Sequence, residues 1–289
     1  MMRWFVFSAV VLAASTGVAR ADDDQTMLPP CAMPIAATLA DRPGTGRTTS
    51  SGGAPCVALP GEWIVETGVR RQVTLDDGGS STLASGPLTL LRTGVTPRLE
   101  LAIAPPELQS RAFAGSAPVD AARGATDIVF AAKYLTLDTA RAQGSIGVSY
   151  SAPTGSGEFT AGAPTFALGA NLALAITSRL SFATSQTAGT AVGALANRNR
   201  SYFIYTPSYT ISYALTANDT LIVQDALVSR QGPELPAGAR AIVALQHAIG
   251  SRLAIDVDLE RNLAPTLGYA ANAVGAGIVW IVAPGHPRR

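Results

Sequence analysis

"RLAIDVDLE", residues 252–260, is apolar at every odd position from Leu253 to Leu259 and charged at the even ones apart from Ala254. A period of two is the signature of a β-strand with two unlike faces. One face carries Leu253, Ile255, Val257 and Leu259, and the other carries Arg252, Asp256, Asp258 and Glu260. In a soluble sandwich the leucine face is the buried one. In a membrane barrel it meets lipid, and the charges line a lumen. The rest of the chain decides between these readings.

The 289 residues suffice for one large all-β domain or two ordinary ones. Charged residues make up 14 % and apolar residues 47 %, which is lean in charge for a soluble surface. The formal net charge is +1, and without residues 1–21, which hold Arg3 and Arg20 and no acid, the balance becomes 19 basic to 20 acidic. There is no basic excess to displace phosphate counterions, so nucleic acid is not an expected partner.

The first 21 residues, "MMRWFVFSAVVLAASTGVARA", combine an early arginine, an apolar stretch over Trp4–Ala14 and a small-x-small site at Ala19-Arg20-Ala21. They read as a secretory signal cleaved after Ala21. The apolar run is shorter than the roughly 20 residues of a membrane-spanning helix. An exported chain with two cysteines, Cys31 and Cys56, is expected to form a disulfide between them. Only two histidines are present, His247 and His286, neither in a ligand spacing, so no metal or other cofactor is expected.

Residues 22–60 are rich in Pro, Gly, Thr and Ser and show no alternation. They read as an irregular segment that hangs in the periplasm or folds back as a plug. Residues 61–289 then form a succession of alternating segments: 62–73, 85–95, 98–106, 125–136, 143–152, 165–176, 179–187, 201–215, 219–229, 239–248, 252–260 and 272–282. That is about 12 strands, near the 9–11 residues of a tilted membrane strand. Tight turns at "VTPRL" (95–99), "ITSRL" (176–180), "LTANDTL" (215–221) and "IGSRL" (249–253) alternate with longer connections near 74–84, 107–124, 153–164, 188–200, 230–238 and 261–271. Short turns on one side and long loops on the other are the pattern of an outer-membrane barrel. The fold expected is therefore all-β: an antiparallel up-and-down transmembrane β-barrel of the outer-membrane type.

On this reading Leu253, Ile255, Val257 and Leu259 face lipid. Phe203, Tyr205, Tyr209 and Tyr213 share a face and suit an interfacial belt, while Pro207 among them predicts a bulge or bend. Candidate lumen-lining residues are Glu66, Arg92, Arg98, Glu100, Asp127, Lys133, Arg252, Asp256, Asp258 and Glu260. They either pair into a network that fills a narrow barrel or form a polar path for a permeant.

Five stretches occur in an order that resembles a known family: "LADRPGTG" (39–46), "LPGEWIVETGV" (59–69), "LLRTGVTPRLEL" (90–101), "GATDIVFAAKYL" (124–135) and "GVSYSAPTGSGEF" (147–159). Together they resemble the phenol-degradation meta-pathway, transporter-like outer-membrane barrels. The resemblance implies a barrel placed by the barrel-assembly machinery among outer-membrane lipids, with a role in uptake of small, hydrophobic or aromatic molecules. Asp41, Arg42, Pro43, Glu66, Arg92, Arg98, Glu100, Asp127 and Lys133 fall in the matching stretches. Two features depart from it: the chain ends "VWIVAPGHPRR" rather than on an aromatic residue, and the cysteine pair is not a general family trait.

Two other classes compete with a channel. A lipid-modifying enzyme requires a nucleophile, a base and an orienting group within reach of one another. His247 is the one strand histidine, but it shares parity with Val243 and Leu245, which points it to lipid. An adhesive barrel would act through its long loops, which are poor in aromatic and charged residues. No catalytic residue is expected.

Overall fold

The computed structural model describes residues 55–76, 79–115, 121–195, 198–230, 232–234, 237–263 and 270–283. They form β1 (Trp63–Asp76), β2 (Gly79–Ser85), β3 (Leu90–Gly94), β4 (Leu99–Ala104), β5 (Leu108–Gly115), β6 (Ala121–Ala125), β7 (Ile128–Asp138), β8 (Ala142–Ala152), β9 (Thr165–Ala175), β10 (Leu180–Leu195), β11 (Arg198–Ala214), β12 (Asp219–Val228), β13 (Gly238–Ile249), β14 (Leu253–Asn262) and β15 (Ala270–Ala283). Every pairing is antiparallel between sheet neighbours, and β15 returns to β1 along Ile64↔Ile281 to Leu75↔Ala270. No helix among the described residues is long and apolar enough to cross a membrane. Closure satisfies the backbone hydrogen bonds that an open edge would leave bare in hydrocarbon.

Fifteen strand segments make a 12-strand barrel because three walls are each built from two segments in line. The lower half of β1 pairs β3 and its upper half pairs β2. In the same way β4 and β5 stack above one another, as do β7 and β6. The breaks lie side by side. Gly86–Thr89 contains a cis Gly86–Pro87 bond, 105–107 contains Pro105 and Pro106, and 126–127 is Thr126-Asp127. Prolines lack the N–H a ladder needs, so the strands break where they cluster. Gly86 N donating to Leu108 O and Thr126 N donating to Glu107 O carry the pairing across the breaks.

The strands outrun several expected boundaries. Residues 74–84, 107–124 and 188–200, expected as loops, hold the upper parts of β1, β2, β5, β6, β10 and β11. Their Gly, Ser, Thr and Ala content carries no alternation, yet strand pairing is made by the backbone and tolerates it. No bulge occurs at Pro207, which pairs in register with Gln186. The β11–β12 ladder stops one residue short of it, at Ser208↔Ala226, so its missing N–H interrupts nothing.

Four of the short turns share one device. Thr96, Thr139, Thr177 and Thr216 each accept a hydrogen bond on the side-chain oxygen from the backbone N–H three residues on. The fifth turn bends at Gly250, whose φ of 67° suits glycine. Arg98, Arg141, Arg179 and Arg252 all sit exposed in these turns, on the periplasmic side in the usual barrel orientation.

Alternation along β14 settles which face is inside. Ile255, Val257 and Leu259 are exposed, Leu259 to 65 %, while Asp256, Asp258 and Glu260 are buried, Asp258 to 2 % exposure. The outer surface carries Phe203, Tyr205, Tyr209 and Tyr213 together, with Trp63 and Trp280 near the periplasmic end. A Val257→Arg substitution places a charge inside the apolar band. It is expected to lower folding stability in bilayers by about 2–4 kcal/mol. A urea titration that shows no change would mean that this face does not meet lipid.

Candidate functional site

The barrel interior is chemically lopsided. On the wall made by β1, β3, β4 and β7, Glu66, Arg92, Glu100 and Lys133 point inward and meet. The Arg92 guanidinium donates through Nη1 to Glu66 Oε1 at 2.7 Å, and through Nε and Nη2 to the two Glu100 oxygens at 3.0 and 2.9 Å. Lys133 Nζ stands 3.5 Å from Glu100 Oε1. Two-pronged guanidinium–carboxylate contact of this kind is the strongest geometry the pair can adopt. Arg92 is 1 % exposed and Glu66 0 %, so the network is shielded from solvent and its charges support one another.

A second group ties the closure seam. Arg70 on β1 donates to Glu260 Oε2 on β14 at 2.8 Å, reaching across β15. Arg240 on β13 stands 3.5 Å from the other Glu260 oxygen. The reach is possible because β15 presents Ala273 and Gly275 there. A Cβ on Gly275 would stand 2.2 Å from Asp258 Oδ2, so the Asp258 carboxyl fills the space that the glycine leaves.

The opposite wall is uncharged and polar. Ser145, Ser149, Asn171, Ser185, Ser208 and Thr210 are buried on it, and Asn171 Nδ2 donates to Ser145 Oγ at 3.2 Å. Among the described residues seven carboxylates are buried (Glu62, Glu66, Glu100, Glu107, Asp256, Asp258 and Glu260) against three bases, Arg70, Arg92 and Lys133. Even with half-buried Arg240 added, acids outnumber bases among the described interior residues.

The chain enters this interior before it joins the wall. Cys56, Val57 and Ala58 are buried, and Ala58 N donates to Glu100 Oε2 at 2.7 Å. Leu59 N donates to Glu62 Oε2, and Pro60 bridges Gly94 in parallel. Gly94 is the floor beneath this arm. A Cβ there would lie 2.2 Å from Leu59 O and 2.4 Å from Ala58 O, backbone atoms that cannot step aside. Gly94→Val is therefore expected to lift residues 58–60 off the wall while the barrel still forms. Faster proteolysis within 55–60, with unchanged heat-modifiable migration on gels, would register it; full protection would mean that the arm is held elsewhere.

Of the residues singled out from sequence, Glu66, Arg92, Glu100, Lys133, Asp256, Asp258 and Glu260 are buried in the interior. Arg98 and Arg252 are not. Both are exposed in short turns, because each lies just outside the strand whose parity seemed to include it. Asp127 also differs. It sits at the β6–β7 break and accepts from Gly155 N, Thr160 Oγ1 and Ala161 N, pinning the 153–161 loop. Cys31, the expected partner of Cys56, lies outside the described residues, as do residues 1–54 as a whole. His247 faces outward, as its parity indicates, with Nδ1 2.8 Å from Asp219 Oδ1. Sequence reasoning passed over Arg70, Glu62, Glu107 and Arg240. Arg70 shares parity with Glu66, which was signal enough.

The described residues hold no cluster of three or more metal-ligating side chains. No curated protein matches the chain significantly. In structure it is similar to the COG4313 outer membrane channel from Pseudomonas putida F1, with TM-score 0.59 and 15 % identity over 78 % of this chain and 97 % of that one. It is also similar to the NanC porin, with TM-score 0.50 and 10 % identity over 75 % and 100 % of the two chains. The translocator domain of the autotransporter NalP from Neisseria meningitidis gives TM-score 0.50 and 8 % identity over 76 % and 88 %. At these identities the likeness shows the fold, an outer-membrane type of β-barrel. A family model described as "Putative MetA-pathway of phenol degradation" matches residues 40–274, most of the chain, and the chain belongs to that family.

Proposed function

We propose that the protein is a passive outer-membrane channel for small molecules. The observation that carries this reading is the interior itself: charged on one wall, hydroxyl- and amide-lined on the other, inside a closed barrel whose outer face is apolar. Such a lining gives a permeant weak, exchangeable contacts rather than one tight site. The excess of acids among the described interior residues favours cations and neutral molecules over anions. The family's description names phenol degradation, and the COG4313 protein is called a channel, which supports small neutral aromatics as the permeant class. Residues 1–21 act in this reading as a cleaved export signal, and Cys31–Cys56 as a disulfide that fastens the segment ahead of the buried arm. Catalysis has no part in it, since His247 and Asp219 face away from the interior.

Liposome swelling with neutral solutes of increasing size tests the reading. Swelling that falls off with solute size, with phenol admitted, is the expected result. Protein that is folded by heat-modifiable migration yet admits no solute would sink the channel and bring an enzyme or a structural barrel forward.

A further inference from the structure

Beside these strand breaks, the outer surface of the wall holds a hollow of about 750 Å³. Arg71 on β1, Ala84 on β2, Ser110 on β5 and Arg123 on β6 form one rank across it, paired in register from strand to strand. Three inter-strand steps put the Cα atoms of Arg71 and Arg123 about 14 Å apart. The small side chains of Ala84 and Ser110 leave the space between them open. Val69 and Leu108, exposed to 60 % and 63 %, line the hollow on the periplasmic side of that rank. The face is the outer one, because Arg70 and Ser85, the residues of opposite parity, are buried.

Height in the membrane gives these arginines their meaning. Arg71 stands eight residues above Trp63 on β1. At 3.3 Å per residue and the usual strand tilt, that is about 20 Å above the periplasmic interface. The apolar band of such barrels is about 25 Å tall, so the rank lies at its outer margin, where a guanidinium reaches the headgroups. Among the described residues no carboxylate stands within ion-pair distance of Arg71 or Arg123. Two unneutralised, forked donors at that level fit phosphate oxygens. The apolar residues below them fit an acyl chain.

We propose that this hollow binds a bisphosphorylated glycolipid of the outer leaflet, lipid A, with Arg71 and Arg123 each engaging one phosphate of its disaccharide headgroup. The proposal rests on the outer-membrane placement of the proposed function but not on transport.

Native mass spectrometry of the full-length protein refolded in detergent tests it, with bisphosphorylated lipid A and its dephosphorylated form as probes. Wild type is expected to retain one bisphosphorylated lipid and to hold the dephosphorylated form at least about tenfold more weakly. R71Q/R123Q is expected to lose that preference while keeping heat-modifiable migration. Equal binding of the two lipids by wild type, or an unchanged preference in the folded double variant, would overturn the proposal. If the double variant fails to fold, the wild-type comparison and R71Q alone still decide. Conductance recorded on the same samples keeps the two readings separate: a silent barrel with phosphate-dependent lipid binding loses only the channel.

Discussion

Arg92→Met is expected to lower the folding stability of the barrel by about 3–5 kcal/mol, read as an earlier urea midpoint in lipid vesicles. The substitution keeps the side-chain volume but removes the cation that Glu66 and Glu100 share. Both carboxylates are buried, at 0 % and 2 % exposure, and Lys133, 3.5 Å from Glu100, is badly placed to serve both. Removing a cation that two buried carboxylates share is what makes the loss large, so neutralising the acids as well is expected to recover part of it. E66Q/R92M/E100Q is the control. If R92M shifts the midpoint by no more than about 1 kcal/mol, as an exposed ion pair would, the network is wet rather than dry.

Deleting residues 22–60 is expected to raise single-channel conductance roughly twofold or more, because it empties part of a lumen only 12 strands round. Cys56, Val57 and Ala58 occupy interior volume, and the amide of Ala58 holds one oxygen of Glu100. Removing the arm widens the path and returns that oxygen to water. Arg92 and Lys133 still hold Glu100, so the truncated barrel is expected to fold. An unchanged conductance would mean that the constriction lies elsewhere.

How far the sequence foretells this molecule follows from where the physics is periodic. The alternation of Leu253 to Glu260 states both faces of β14, because lipid and lumen make opposite demands on successive residues. That logic fades outside the apolar band. The stretch Gly79–Ser85 pairs well through its backbone yet shows no alternation, so β2 reads as loop. Parity also misleads at strand ends. Arg252 continues the pattern of β14 but lies in the turn that precedes it, and Arg98 stands in the same relation to β4.

Long-range geometry was the least legible part. Nothing local indicates that Arg92 lies between Glu66 and Glu100, or that Arg70 reaches over Gly275 to Glu260. Both depend on the strand registers set by closure. Asp127 shares a stretch with Lys133 but falls at a break, where a carboxylate is more useful to the loop amides of Gly155 and Ala161. The buried arm at 55–60 was legible only as a choice between plug and tail. Gly94, whose missing side chain makes room for it, looks like an ordinary turn glycine in the sequence.

In the proposed channel, small molecules pass through an interior whose described residues hold more acids than bases. The reversal potential of the full-length protein in a planar bilayer, under a potassium chloride gradient, tests it most directly. Discrete conductance steps that reverse on the cation side of zero are the expected result. Steps that reverse on the anion side, or silence from protein shown to be folded, would contradict it.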